Sequence, residues 1–123
     1  MKSSILFSLM VVSTLLISCK TAVTTTGQPR PNMVELVNNP ETTIVDVRIP
    51  GEFEQSTAKN AVNIPLAEIE NNLDFFRKQK QTVLFCNRGI QAQQAIDILR
   101  KHGIENVYSG KTLDNVNAIQ QKK

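Results

Sequence analysis

The segment from Thr82 to Gly103, TVLFCNRGIQAQQAIDILRKHG, constrains this chain more than any other. An apolar run, Val83-Leu84-Phe85, leads directly into Cys86. A short polar turn, Asn87-Arg88-Gly89, follows it. Apolar residues then recur at Ala92, Ala95, Ile96 and Leu99, the i, i+3, i+4, i+7 stripe of an amphipathic helix. His102 and Gly103 mark its end, a side chain suited to the negative pole of the helix followed by a residue that tolerates the left-handed C′ conformation. The segment therefore reads as strand, tight loop and helix. A thiol sits at the strand's exit, and backbone N–H groups converge at the helix N-terminus, a geometry that suits an anion or a thiolate.

The rest of the chain alternates in the same way. Asn32 caps a short helix whose buried face is Met33, Leu36 and Val37, and Asn38-Asn39-Pro40 stops it. Thr43 to Val47 is a β-branched, apolar strand ending at Arg48. Pro50 is expected to break the chain and Gly51 to turn it, with one helical turn over Glu52–Gln55 and Phe53 facing inward. Ala61 to Ile64 reads as a short strand stopped by Pro65. Leu66, Ile69 and Leu73 follow at helical spacing, and Phe75-Phe76 seats a further turn before the polar exit Arg77–Lys80. After the central helix, Asn106-Val107-Tyr108 is a short strand, Ser109-Gly110 a turn, and Leu113, Val116 and Ile119 line a last helix. Strands alternating with helices predict a single α/β domain, a central mostly parallel sheet flanked by helices. Ligands of such sheets lie beyond the carboxyl ends of the strands, so Asp46-Val47-Arg48 and Cys86 are placed to face one site.

The front of the chain is of another kind. Met1-Lys2 is a short positive start, and Ile5 to Ile17 is an apolar run shorter than a comfortable membrane span. Leu16-Ile17-Ser18-Cys19 resembles a bacterial lipobox. The resemblance implies cleavage before Cys19, lipid on its thiol, and a lipoprotein held to a membrane of the bacterial cell envelope. The expected organisation is a leader over 1–18, the lipidated N-terminus and a Thr- and Pro-containing tether over 19–31, and the domain over 32–123. Only two cysteines are present. With Cys19 lipidated, Cys86 has no disulfide partner within the chain, although the compartment permits disulfides.

A thiol becomes a good nucleophile on ionising, and a helix N-terminus or a nearby cation favours the thiolate. The loop formed by Asn87, Arg88, Gly89, Ile90 and Gln91 offers N–H groups without helical partners, and Gly89 permits a positive φ. From this loop alone, a small buried residue at a strand end and an activated nucleophile are equally good readings of Cys86. Arg88 reads as an exposed loop charge. Asp46 and Arg48 read as a supporting pair that fixes nearby backbone, and His102 as a helix-end residue. One histidine and no second nearby thiol point to no metal site and no cofactor. A net charge of +3 with scattered basic residues does not argue for nucleic acid.

Taken together, the segments resemble the rhodanese family. Asp46-Val47-Arg48 with Pro50, Glu52 and Phe53 is similar to the family's D-V-R-x-P-x-E-[FY] stretch. Ala61 to Leu66 is similar to its A-[IV]-N-I-P-L stretch, and Val83 to Gly89 to its active-site strand and loop. Gly103 to Val107 resembles the G-[FYI]-x-x-V that follows the helix. The likeness is greatest to small exported single-domain rhodaneses of the phage-shock protein E type.

The resemblance implies a sulfurtransferase. Cys86 would take sulfur from a small donor such as thiosulfate, hold it as a persulfide, and pass it to a thiol or, in an assay, to cyanide. It also separates the chain from cysteine phosphatases on related folds, which place an arginine six positions after the cysteine, where this chain has Ala92. Three departures leave the donor open. Ile90 and Gln91 stand where an arginine is common, Ser56-Thr57-Ala58 replaces a G-H-I, and Ser109-Gly110-Lys111 replaces a G-G-x, with Lys111 as a possible charge at the pocket rim. A non-catalytic persulfide- or partner-binding module is the alternative. A thiol redox sensor is a third reading, and it would need a resolving thiol from outside the chain.

Overall fold

The computed structural model describes residues 30–122. The expected leader, the expected lipidation site Cys19 and nearly all of the expected tether lie outside the described residues. Four strands form one all-parallel sheet: β1 (Thr42–Asp46), β2 (Val62–Asn63), β3 (Gln81–Cys86) and β4 (Val107–Thr112), in the order β2-β1-β3-β4. Five helices cover its faces: α1 (Met33–Asn38), α2 (Pro50–Gln55), α3 (Leu73–Lys78), α4 (Ile90–Lys101) and α5 (Leu113–Gln121). Among the described residues no helix is long and apolar enough to cross a membrane.

The period-2 alternation of β3 divides the core. Leu84 and Cys86 face a cluster with Val45, Ile69, Phe76, Ala92, Ala95, Ile96 and Leu99, on the α3 and α4 side. Val83 and Phe85 face Leu36, Val37, Val116 and Ile119, on the α1 and α5 side. Parallel strands covered on both faces read as continuous apolar runs, which is why Thr43–Val47 and Val83–Phe85 stand out in the sequence. The stripe of α4 is buried as its spacing predicts, and Gly103 ends the helix at φ +80°. Asn32 caps α1, its side chain accepting from the Val34 N–H at 3.0 Å.

Four local expectations are corrected. Pro50 does not break the chain: it starts α2, because a first-turn residue needs no N–H acceptor and φ is already helical. Phe53 is only half-buried, and α2 contributes no fully buried residue. Leu66 to Leu73 is not one helix. Two 3₁₀ turns, Leu66–Glu68 and Glu70–Asn72, precede α3, with Ile69 fully buried between them and Phe76 fully buried on α3. Ser109-Gly110 does not turn the chain. β4 runs through it with a bulge, Leu84 pairing with Ser109 and Phe85 with Lys111.

The bulge explains Gly110. A Cβ there would lie 2.8 Å from both Val116 Cγ2 and Val83 Cγ1, two side chains with restricted χ1. Gly110→Ala is therefore expected to cost about 1–3 kcal/mol, read as a lower urea midpoint with an unchanged slope. Thr82 makes the opposite prediction. Its Oγ1 is buried with no hydrogen-bond partner among the described residues. Thr82→Val keeps the shape, removes the orphaned hydroxyl, and is expected to stabilise by about 1 kcal/mol, a rise in Tm of about 4–8 °C by calorimetry.

Candidate active site

Cys86 ends β3 and is 2% exposed. The chain then curls through Asn87 and Arg88 to Gly89, whose φ of +85° turns its N–H back onto the thiol: Gly89 N–H donates to Cys86 Sγ at 3.0 Å. An L side chain at this φ would be strained, while the space for a Cβ is ordinary, 3.6 Å from Lys111 Cα. Helix α4 starts at once. Its first internal bond runs from Gln93 N–H to Gly89 O at 3.1 Å, so Ile90, Gln91 and Ala92 contribute N–H groups with no acceptor in the helix. The thiol thus lies at the positive end of a 12-residue helix.

The other side of the thiol is closed by the β4 bulge. Lys111 adopts φ +66°, and its carbonyl oxygen lies 3.9 Å from Cys86 Sγ. The backbone of Lys111, not its charge, is what meets the loop: its exposed side chain does not line the cleft.

Asp46 and Arg48 form a buried ion pair at the end of β1. Arg48 Nη2 donates to Asp46 Oδ2 at 2.6 Å, and Nε donates to Oδ1 at 2.9 Å. Thr57 Oγ1 and the Arg48 backbone N–H also donate to this carboxylate. Hydrogen bonding to Asp46 raises the Arg48 guanidinium above its ordinary range, against the opposing effect of burial. Two further donors are used as well: Nη2 reaches Ser56 O at 2.6 Å, and Nη1 reaches Asn87 Oδ1 at 3.3 Å. Asn63 Nδ2 ties the same corner by donating to the carbonyls of Asp46 and Arg48. The pair therefore holds backbone and loop together, as expected of it.

One participant was not singled out as a site residue. Glu52, on α2, accepts from Asn87 Nδ2 and lines the cleft. The sequence signal was its place in the segment after Arg48. The carboxylate reaches the loop only because Pro50 starts a helix that turns it there. Glu52, Cys86, Asn87, Arg88, Ile90 and Gln91 line a cleft of about 350 Å³, large enough for a small organic molecule. Four of the five loop residues expected at the site line this cleft, Asn87, Arg88, Ile90 and Gln91, all exposed, and the fifth, Gly89, meets the thiol through its N–H. Among the described residues no group of three or more His, Cys, Asp or Glu side chains is placed to hold a metal ion.

In this parallel α/β domain the one thiol among the described residues lies between a helix N-terminus and a strand bulge. The chain belongs to the rhodanese-like domain family, whose model matches residues 32–111. Among solved structures it is similar to a rhodanese with anions from E. coli: 30% identity, 60% of this chain and 89% of that one, TM-score 0.56. A tRNA uridine(34) hydroxylase of Pelagibacter ubique is 33% identical over 94 residues, 72% of this chain and 31% of the relative. An uncharacterized protein of Bacillus subtilis is 34% identical over 68 residues, 55% of this chain and 54% of the relative. The chain thus spans from a third to about half the length of these two curated relatives.

Proposed function

We propose that the protein is a rhodanese-type sulfurtransferase that moves a sulfane sulfur from a small donor, of which thiosulfate is the type, to a thiophilic acceptor through a persulfide on Cys86. We further propose that it works in the bacterial cell envelope, anchored by lipid on Cys19. The observation that carries the first reading is the Gly89 N–H at 3.0 Å from Cys86 Sγ, beside three further helix-start N–H groups. Such a cradle stabilises the thiolate and the persulfide anion alike. The Cys86 thiolate attacks the outer sulfur of thiosulfate, the donor S–S bond breaks, and sulfite leaves with the electron pair. Cyanide or a thiolate then attacks the terminal sulfur of the persulfide, and the Cys86 thiolate returns. This two-step course predicts ping-pong kinetics.

Incubation with thiosulfate should add one sulfur to the intact chain, mapped to the peptide that contains Cys86, and cyanide should release it as thiocyanate. A protein that gains no sulfur at Cys86 and forms no thiocyanate would refute the reading. The anchor is tested separately: membrane-extracted protein should carry acyl mass on Cys19, and Cys19→Ser should move the chain to the soluble fraction.

One observation favours a second reading, a non-catalytic persulfide or partner-binding module. Ile90 and Gln91 line the cleft without supplying a cation. Loading that occurs once and is not discharged by cyanide or thiols would support it. The hydroxylase activity in the name of the Pelagibacter relative is not part of either reading, since this chain spans 31% of that protein.

A further inference from the structure

The cleft around Cys86 has a charge balance unsuited to a small dianion. Two of its lining side chains are ionic, Glu52 and Arg88, and they are opposite in sign. The nearby Arg48 gives four of its five N–H donors to Asp46, the Ser56 carbonyl and Asn87, and its charge is already paired with Asp46. With Cys86 as thiolate, the lining side chains carry a net negative charge, offset in part by the N–H groups of the loop and helix start. Like charges repel, so the dianion is disfavoured at the step that brings it against sulfur.

The same cleft offers an apolar contact. Ile90 begins α4, lines the cleft and is 65% exposed, the most exposed of the large hydrophobic side chains. Gln91 beside it supplies a neutral amide with donor and acceptor capacity. A volume of about 350 Å³ exceeds what an inorganic sulfur oxyanion needs and fits a compact organic group.

We propose that the preferred donor is a small organic hydropersulfide, R–S–SH, with an uncharged apolar R group against Ile90, in place of thiosulfate. The inference rests on the sulfurtransferase reading above and specifies its donor. The Cys86 thiolate attacks the terminal sulfur of R–S–SH. A Cys86 S–S bond forms, the donor S–S bond breaks, and R–S⁻ leaves with the electron pair. The proton stays on the transferred sulfur until the persulfide ionises, and no external oxidant or reductant is consumed. Glu52, held by Asn87 Nδ2, disfavours a dianion at this mouth more than a donor of lower charge.

The experiment compares benzyl hydropersulfide with thiosulfate as donors to cyanide, using the full chain and subtracting the uncatalysed reaction. Wild type is expected to use the hydropersulfide with a kcat/KM at least about tenfold above thiosulfate. Ile90→Arg is expected to shift that ratio toward thiosulfate by about tenfold or more, through a lower KM for thiosulfate and a higher one for the hydropersulfide. Glu52→Gln is expected to improve thiosulfate alone. Intact mass after each donor separates the two levels of the argument. Loading by both donors with thiosulfate preferred, or a ratio unmoved in Ile90→Arg, overturns the donor assignment and leaves the sulfurtransferase reading standing. Loading by neither donor overturns both.

Discussion

Cys86→Ser is expected to lower sulfur transfer by about a thousandfold or more and to abolish the sulfur adduct seen by intact mass. A serine hydroxyl does not ionise near neutral pH and attacks sulfur poorly. It still occupies the same place: its oxygen can accept the Gly89 N–H now given to Sγ. Stability should therefore change by no more than about 1 kcal/mol, measured by urea unfolding. That combination, chemistry lost and fold retained, separates a nucleophile from a small residue filling a strand end. If Cys86→Ser kept its turnover, a thiol-based mechanism at this loop would be excluded.

The second large effect concerns stability. Asp46→Ala is expected to destabilise the domain by about 3–5 kcal/mol. Arg48 is 5% exposed, and the substitution strands its guanidinium without a counter-charge. Thr57 Oγ1 and the Arg48 backbone N–H lose their acceptor too. A domain of this size has a total stability of about 5–15 kcal/mol, so the variant should melt far below the wild type and be partly unfolded at moderate urea. Pairing the change with Arg48→Met should recover much of the loss, because no buried charge is then left unpaired. A double variant no better than Asp46→Ala would show that the cost arises from backbone contacts and not from the orphaned charge. Loss of the pair should also loosen Asn87, whose Oδ1 accepts from Arg48.

Much of this was legible in the sequence because it depends on local rules. The stripe Ala92, Ala95, Ile96, Leu99 is a property of helix geometry, and all four residues are buried. Gly89 and Gly103 read as loop and cap residues because only glycine adopts positive φ without strain, and both do so. Misreadings arose where tertiary packing overrides local preference. Ser109-Gly110 has turn composition, yet β3 alongside holds it in a bulged strand, with Gly110 pressed between Val83 and Val116. Leu66 to Leu73 has helical spacing, yet the chain takes two 3₁₀ turns there, with Ile69 buried between them. Glu52 escaped notice as a site residue because no local pattern reports that α2 brings it to Asn87.

By itself the sequence determined the α/β alternation, the strand–loop–helix that carries Cys86, and the backbone cradle, since periodicity, β-branching and glycine placement act over a few residues. Only the tertiary structure decided what surrounds the thiol. The bond from Arg48 to Asn87, the approach of the Lys111 carbonyl through the β4 bulge, and the meeting of Glu52 with Asn87 join residues from 25 to 39 positions apart in the chain. Such contacts follow from strand order and register. Those in turn are set by burying both faces of the sheet at once, a condition that no single stretch of sequence expresses.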